Sequence, residues 1–404
     1  MRRSKHAAAV SLAVLMVAVS CDRQATAPHD ERAGALDAAS ADLTGTLTKI
    51  DTEVVPSPGD NMVVAVRKAG TFIVTLSREE NQARVSLVSN SGLNGIGSTG
   101  TGDGPVKMAR VGTDLIVTAN SFSNDLSVLK QRSDGRLQEI NRVSSGGIQP
   151  SDVGTAFNLT VVANRGGLSG DGEGVTVFEV DSEGKMKRIG DQYPSGRQPH
   201  IVVITTRGLV AVPNAGGKGQ LVVAGNSAAT PADTRLVAVG NASSNDVTLF
   251  QIDRAGTMTM LPPISRPVGG SPRALAFHGR SLFVATRAPI FGLTQDQIER
   301  YRVNVDGSLT LLSTTSAGYF LTDIEARDDR LFAVTLSSPT LPVNEVRAYA
   351  IDEDGPSALA LVDVLALPGA PSFQQLGTYR DDGPFLLGVT QFQAGLLHLI
   401  EYRL

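Results

Sequence analysis

The chain has 404 residues, of which 42 are Gly and 20 are Pro, and it contains no Trp. Its formal net charge is −4 and no basic stripe interrupts it, which excludes a protein that binds nucleic acid through phosphate contacts. Val, Thr, Leu and Ile recur in short runs broken by Gly, Asn, Asp and Ser, which predicts many short strands joined by tight turns. The composition indicates an all-β protein, and only Leu293 to Arg302 suggests a short helix.

The N-terminus carries a targeting pattern. Three basic residues among the first five precede an apolar stretch from Ala7 to Ser20 that is too short to span a bilayer. The stretch ends in the letters AVSC at 18–21, which resemble the lipobox of bacterial lipoproteins, with Cys21 as the lipid-modified residue. Cys21 is the only cysteine, so a disulfide within the monomer is excluded.

This resemblance divides the chain into a signal peptide at 1–20, a flexible tether at 21–42 and a folded body at 43–404. It implies an exported protein, anchored at the cell envelope, that meets the membrane through its lipid alone. An ordinary secretion signal cut after Ala27 is the alternative, although Pro28 would then follow the cut.

The body repeats with a period of about 49 residues from residue 100 onward. Prolines that follow a small or polar residue recur with this spacing, and so do dipeptides that end in Gly. Such dipeptides supply the positive φ that a two-residue hairpin turn needs. The dipeptides are Asp134-Gly135, Glu183-Gly184, Ala255-Gly256, Asp306-Gly307 and Asp354-Gly355. Both markers indicate one insertion of about 24 residues between Ala211 and Val237.

Each repeat reads as four strands, and such a unit cannot bury both faces of its sheet alone. Counting a degenerate first repeat that includes residues 71–88, the chain holds seven units, and the last ends after three strands. We therefore predict a seven-bladed β-propeller of four-stranded antiparallel blades, closed by an N-terminal strand from within residues 43–67. A pair of β-sandwiches or a β-helix is a less economical alternative, because neither explains the truncated last unit.

The repeat text resembles known propeller groups. The letters IVTAN at 116–120 and SNDLSV at 123–128 are similar to short surface-propeller repeats. The longer layout, in which Pro-Arg is followed by Phe-His-Gly, a strand and an Asp-Gly turn, resembles the lactonase family of seven-bladed propellers. That family includes 6-phosphogluconolactonases and carboxymuconate-lactonising enzymes, and the resemblance covers about residues 70–404.

The resemblance implies a site in the central channel. The letters RQPH at 197–200 keep the family's first histidine as His200, and LVAVPN at 209–214 matches the strand after it, which makes Asn214 a binding candidate. Ser-Pro-Arg-Ala at 271–274 keeps the arginine as Arg273 but has Ala274 where the family has His. At 282–287, Thr or Arg stands where the family has Glu.

Arg197, Arg273 and Arg287 would form a cationic funnel for a carboxylate or phosphate if they occupy comparable blade positions. Alternatively, each arginine pairs with a neighbouring blade or meets solvent. His200, for its part, is either a ligand contact or a histidine that bonds backbone. The sequence predicts no cofactor and no metal site, since the histidines lack zinc-ligand spacing and the Gly-rich stretches 95–100 and 170–174 read as loops.

Two functions remain open. In the first, a monomer binds a small anionic or lactone-like ligand, or a protein partner, at the channel mouth. In the second, the protein is a lactone hydrolase that uses His200 with Arg273 and Arg197. Loss of two family site residues favours binding, because no other base is in place to activate water.

Overall fold

The computed structural model is a propeller of seven sheets built from antiparallel strands. It describes residues 45–54, 62–67, 70–89, 92–167, 169–205, 209–212, 220–223, 234–263, 266–288, 294–304, 307–340, 342–352, 357–371, 374–379, 385–391 and 396–403. These residues belong to one compact unit, Ala41–Leu404. No helix within them is long and apolar enough to cross a membrane. The predicted fold class is confirmed.

In six blades the strands follow one another from the channel outward. Blade 1 contains β2 (Met62–Arg67), β3 (Gly70–Ser77), β4 (Gln82–Ser89) and β5 (Gly92–Gly100); blade 2 contains β6 (Pro105–Val111), β7 (Leu115–Asn120), β8 (Asp125–Gln131) and β9 (Leu137–Ser144). Blade 3 contains β10 (Pro150–Ala156), β11 (Leu159–Asn164), β12 (Gly174–Val180) and β13 (Met186–Tyr193). Blade 4 contains β14 (Pro199–Ile204), β17 (Thr234–Asn241), β18 (Asp246–Asp253) and β19 (Met258–Met260), with β20 (Arg266–Pro267) also paired to β18. Blade 5 contains β21 (Ser271–His278), β22 (Ser281–Arg287), β23 (Gln297–Val303) and β24 (Leu309–Ser316); blade 6 contains β25 (Tyr319–Arg327), β26 (Arg330–Leu336), β27 (Asn344–Ala350) and β28 (Ala360–Leu367).

Blade 7 combines both ends of the chain. Its strands are β29 (Gln374–Tyr379), β30 (Phe385–Gln391), β31 (Leu396–Arg403) and, outermost, β1 (Thr46–Val54). The antiparallel register runs from Thr46 opposite Arg403 to Val54 opposite Leu396. The prediction that an N-terminal strand completes the last blade is confirmed.

The core consists of apolar clusters between neighbouring blades. Blades 6 and 7 meet through Phe332, Phe385 and Tyr402, whose ring centroids lie 5.3–5.8 Å apart. Leu397 and Leu399 of blade 7 share a cluster with Phe72 of blade 1. Every blade therefore buries its faces against two neighbours, which is the arrangement that closes a ring.

The repeated Gly turns adopt the predicted backbone but a different length. Gly135, Gly184, Gly256 and Gly307 have φ between +79° and +85°. The N–H of Gly184 donates to the Asp181 carbonyl at 2.9 Å, and that of Asp181 donates to the Lys185 carbonyl at 3.1 Å. The loop therefore has three residues with Gly in the left-handed position, and the prediction of two-residue turns is wrong. Gly355 lies outside the described residues.

The same glycines allow close packing between blades. A Cβ on Gly184 would lie 2.3 Å from Ile140 Cδ1 of the preceding blade, and one on Gly256 would lie 2.3 Å from Ile189 Cδ1. The turn residue thus needs both a positive φ and the absence of a side chain.

Two local predictions are wrong. Residues 297–303, which overlap the predicted helix at 293–302, form β23, because Ile298, Tyr301 and Val303 are buried in a sheet between blade neighbours. Residues 95–100, predicted as a loop, belong to β5, the outer strand of blade 1. In both cases the pairing partner, rather than local propensity, determines the structure. Residues 170–173 form the predicted loop, which leads into β12 at Gly174.

Blade 4 contains the predicted insertion but places it differently. Leu209–Val212 (β15) and Gln220–Val223 (β16) pair only with each other, and β14 pairs with β17 instead. The interpretation of 209–214 as the strand after His200 is therefore wrong. The chain carries the letters LVAV twice, at 209–212 and 236–239, and the second copy joins the blade. Asn214 itself lies outside the described residues.

Candidate functional site

A bulge at the start of the inner strands positions the candidate side chains. In blades 2 to 5 the ladder skips the residue after the first proline of the inner strand, which is Val106, Ser151, His200 or Arg273. Thr322 is skipped in the irregular start of β25 in blade 6. Bulges redirect side chains at sheet edges. We call these five residues the bulge positions; by the repeated topology they lie at one end of the channel, its mouth.

In blades 3 and 6 the bulge positions join one blade to the next. Ser151 Oγ donates to the carbonyl of Pro199 at 2.9 Å, and Thr322 Oγ1 donates to the carbonyl of Gln374 at 2.7 Å. The two hydroxyls make the same contact, since each carbonyl belongs to the first residue of the following inner strand.

The carboxylates that follow these hydroxyls strengthen the same joints. Asp152 accepts the N–H of Val202 at 2.8 Å, and Asp323 accepts the N–H of Leu376 at 3.1 Å. Burial raises the pKa of Asp152 to about 6 and also raises the pKa of Asp323. Because their oxygens accept backbone N–H groups, both acids act first as structural links.

Blades 4 and 5 have His200 and Arg273 at the bulge positions instead. Neither side chain forms a hydrogen bond to the next blade among the described residues, and both are partly buried. The Nε of Arg273 is buried and has no hydrogen-bond partner. The two positions therefore lack the inter-blade hydrogen bond that Ser151 and Thr322 make at the equivalent positions.

Cations surround His200. Burial lowers the pKa of His200 to about 4, and the charges of Arg273, Lys107, Arg165 and Arg287 lower it in that order. The imidazole is thus neutral at pH 7, because every charge that shifts it has the sign that opposes its protonation.

Arg273 and Arg287 lie close enough to repel each other. Burial and then the charge of Arg287 lower the pKa of Arg273 to about 10, although Asp296 opposes the shift. The two oxygens of Asp296 accept the N–H groups of Ala288 and Leu321 at 2.9 and 2.8 Å. The two guanidinium groups therefore repel each other, and the negative charge of Asp296 offsets part of that repulsion while its oxygens accept backbone N–H groups.

Lys107 links the inner strands of two blades that are not neighbours. Its Nζ, from blade 2, donates to Gln375 Oε1 of blade 7 at 2.5 Å. Its charge also lowers the pKa of His200 in blade 4, of Asp152 in blade 3 and of Asp323 in blade 6. Lys107 thus contacts blade 7 directly and acts through its charge on groups of blades 3, 4 and 6; we call the part of the channel mouth between Lys107 and His200 the cup.

Some predicted site residues lie elsewhere. Arg197 is exposed in the segment before β14, and its backbone N–H donates to Ser244 Oγ at 3.1 Å. The three arginines occupy different positions in their blades: Arg197 precedes an inner strand, Arg273 lies inside an inner strand, and Arg287 ends a second strand. The expectation of comparable blade positions is therefore wrong. Cys21 and Asn214 fall outside the described residues.

The asparagine that ends the second strand of blade 4 is Asn241, which is buried and donates from Nδ2 to Asp246 and Thr248 at 2.6 and 3.0 Å. Asn120 and Asn164 occupy the same position in their blades and bind side chains of their own sheets. This asparagine is therefore a structural residue.

Sequence reasoning missed Lys107 and Arg165. Arg165 directly follows the second strand of its blade, whereas Arg287 is the last residue of the equivalent strand. This similarity in position was a signal in the sequence that could have identified Arg165. Lys107 stands two residues after its blade proline, as Asp152 does. Among the described residues, no group of three or more His, Cys, Asp or Glu side chains could hold a metal ion.

Comparison with known proteins supports the fold. The sequence matches no protein-family profile and no curated protein. A Bacteroides fragilis protein assigned provisionally as a 6-phosphogluconolactonase is 17% identical, with a TM-score of 0.51 over 83% of this chain and 92% of its own. The periplasmic gluconolactonase PpgL of Pseudomonas aeruginosa is 15% identical, with a TM-score of 0.53 over 76% and 88%. Virginiamycin B lyase of Staphylococcus aureus, solved with quinupristin, is 9% identical, with a TM-score of 0.52 over 89% and 99%. The neighbours, which include lactonase-type propellers, share the β-propeller fold, and at these identities the likeness extends to the fold alone.

Proposed function

We propose that this propeller binds a small anionic ligand, carrying a carboxylate or phosphate, in the cup at the channel mouth. The observation that carries the proposal is the grouping of Arg273, Arg287, Arg165 and Lys107 around the neutral His200. Guanidinium groups bind planar carboxylates and phosphates through paired hydrogen bonds. A low-dielectric cup also strengthens these charge interactions relative to water.

The depth of the cations favours a small molecule over a protein partner. Arg273 and Lys107 both lie on inner strands, and the Lys107 ammonium spans from blade 2 to Gln375 of blade 7. A protein surface would reach the exposed Arg165 and Arg197 more easily than these two groups. The ligand must therefore enter the mouth to neutralise them.

Calorimetric titration tests the proposal with the full chain carrying Cys21→Ser. Inorganic phosphate and D-gluconate are the probes, and uncharged D-glucose is the control. We expect Arg273→Ala to weaken anion binding about tenfold or more, because it removes a charge-assisted contact. Arg197→Ala removes the same charge from an exposed site and should change affinity little. Absence of anion binding to the parent protein, or equal loss in both variants, would contradict the proposal.

Lactone hydrolysis is a second candidate because a neutral His200 has a ring nitrogen that can accept a proton, although the cations that lower its pKa to about 4 make it a weaker base than an ordinary histidine. In this scheme the imidazole takes a proton from water while the water oxygen adds to the lactone carbonyl carbon. Arg273 and Arg287 stabilise the oxyanion, the ring C–O bond breaks, and the leaving oxygen recovers the proton from the imidazolium. Turnover of a lactone panel, lost in His200→Ala, would support the enzyme; no turnover together with retained anion binding leaves binding alone.

We further propose that Cys21 carries a lipid that anchors the protein at the cell envelope. The support is the basic and apolar pattern of residues 1–20 and the single cysteine that follows it. Metabolic labelling with a fatty-acid analogue should mark the parent protein and leave Cys21→Ser unlabelled and released from membranes. Equal labelling of both would contradict the anchor.

A further inference from the structure

The interface between blades 6 and 7 changes from apolar to polar side chains along its length. One face of blade 7 presents Phe385, Leu387 and Val389 to the apolar cluster that it shares with blade 6. Side chains alternate along a strand, so Gln391 continues this face two residues beyond Val389. The interface is therefore apolar in its middle and polar toward the channel mouth, where β30 ends.

Three polar side chains of blade 7 occupy this end. Gln374 lies opposite Gln391, and His398 lies opposite Val389, so the register places all three on the same face. Their exposed fractions are 1%, 0% and 0%. They form an enclosed group, which we call the blade 7 polar chamber.

The chamber holds more hydrogen-bonding groups than partners. Within the part of the chain that the structure describes, neither Oε1 nor Nε2 of Gln391 has a hydrogen-bond partner, nor does His398 Nε2 or Gln374 Oε1. The other atoms are satisfied: His398 Nδ1 bonds Thr52 Oγ1 at 2.9 Å, and Gln374 Nε2 donates to Asn344 Oδ1 at 3.1 Å. These four atoms thus come from three buried side chains on one face of blade 7.

We propose that the blade 7 polar chamber binds ordered water, which bonds the Gln391 amide, His398 Nε2 and Gln374 Oε1. A buried amide without partners carries a desolvation penalty, and native interiors satisfy such groups by protein or by internal water. Waters of this kind make about three hydrogen bonds to otherwise unsatisfied groups. The side chains of the chamber are uncharged, which suits a neutral hydrogen-bonding molecule rather than an ion.

Replacing Gln391 by an apolar residue of similar size distinguishes a hydrated chamber from a dry one. If water satisfies the amide, Gln391→Leu removes those hydrogen bonds and should lower the Tm by about 2–4 °C. If the chamber is dry, the substitution removes an unpaired amide, and the Tm should stay constant or rise. The second result would overturn the proposal.

Two further variants show whether a change in Tm arises only because the branched leucine side chain fits the chamber poorly. The unbranched Gln391→Met must shift the Tm in the same direction. Gln131→Leu is the matched control, because Gln131 is also buried and donates to the Gly135 carbonyl at 3.2 Å, so the Tm of this variant must fall in either case. A high-resolution crystal structure should show density within hydrogen-bonding distance of Gln391 Nε2 and His398 Nε2. Absence of density there overturns the proposal whatever the Tm.

Discussion

His200 and His398 are both neutral at pH 7, but for different reasons. At His200, burial acts together with four cations, so an anionic ligand would remove part of the shift. At His398, burial dominates and only Lys49 adds to it, lowering the pKa to about 4. The proposed ligand would therefore shift the titration of His200, whereas the titration of His398 depends on folding.

Folding stability should therefore depend on His398 at acidic pH. The folded pKa of about 4 lies below the ordinary value of 6.5, so the unfolded chain binds a proton in this window while the folded chain does not. The stabilisation is complete above pH 6.5 and decreases as the pH falls toward 4. Between pH 7 and 5 we expect a loss of about 2 kcal/mol from this residue.

Denaturant unfolding of the parent protein and of His398→Asn at both pH values measures this difference. Asn can still bond Thr52, but it does not titrate, so the variant should lose less stability on acidification. An unchanged difference between pH 7 and 5 would show that His398 does not titrate in this window.

The charge of Lys107 should set the titration of its neighbours. Lys107→Met removes a cation that lowers the pKa of both His200 and Asp152, so both pKa values should rise. Titration followed by NMR on ¹³C-labelled histidine and aspartate measures the shifts. Arg197→Met removes the same charge from an exposed position and should leave both nearly unchanged. A fall in the pKa of His200 in Lys107→Met would contradict the proposed geometry.

At the scale of the strand, one structural device serves two purposes. The bulge that begins the inner strands lets Ser151 and Thr322 bond the next blade, and it directs His200 and Arg273 to the mouth. The proposed site therefore uses the bulge positions of blades 4 and 5, while the same positions in blades 3 and 6 bond neighbouring blades to each other. This separation explains how a propeller carries functional side chains without opening its joints.

The Gly turns allow a test of packing against backbone conformation. Gly112 has φ +60° and open space where a Cβ would lie, whereas Gly184 has φ +85° and Ile140 Cδ1 only 2.3 Å from that position. Gly112→Ala should lower the free energy of unfolding by about 1–2 kcal/mol through φ alone. Gly184→Ala should lower it by about 1–3 kcal/mol more, because it adds a steric clash.

Adding Ile140→Val to Gly184→Ala separates the two contributions, since the substitution removes Cδ1. Chemical denaturation should show that the double variant recovers part of the loss. Equal losses in Gly112→Ala and Gly184→Ala would mean that the blade contact is unimportant.

The sequence predicted the elements that depend on its period and missed those that depend on pairing between distant strands. Four-stranded units and the closing strand follow from alternation, Gly turns and a truncated last repeat. The sequence does not reveal which of the two LVAV segments joins blade 4, because both have the same local pattern and only the register with β14 distinguishes them. Likewise, His200 and Arg273 were found by resemblance, but Lys107 acts through a contact with Gln375, 268 residues away.

At the scale of the whole molecule, β1 links three blades. It pairs with β31 in blade 7, the N–H of Leu47 donates to Asp363 of blade 6 at 2.6 Å, and Asp51 accepts the N–H of Leu93 in blade 1 at 2.6 Å. Because each blade is buried by its neighbours, loss of this strand should weaken the ring as a unit rather than one blade.

Leu47→Asp tests this cooperativity, since Leu47 packs in the cluster of blades 6 and 7 and an aspartate there would be buried without a partner. We expect the whole unfolding transition to shift to lower temperature, with far-ultraviolet circular dichroism and tyrosine fluorescence remaining coincident. Thr46→Asp places the same charge on the neighbouring exposed residue and should have little effect. A separate early transition in Leu47→Asp would instead mean that blade 7 unfolds independently and that the ring is not one cooperative unit.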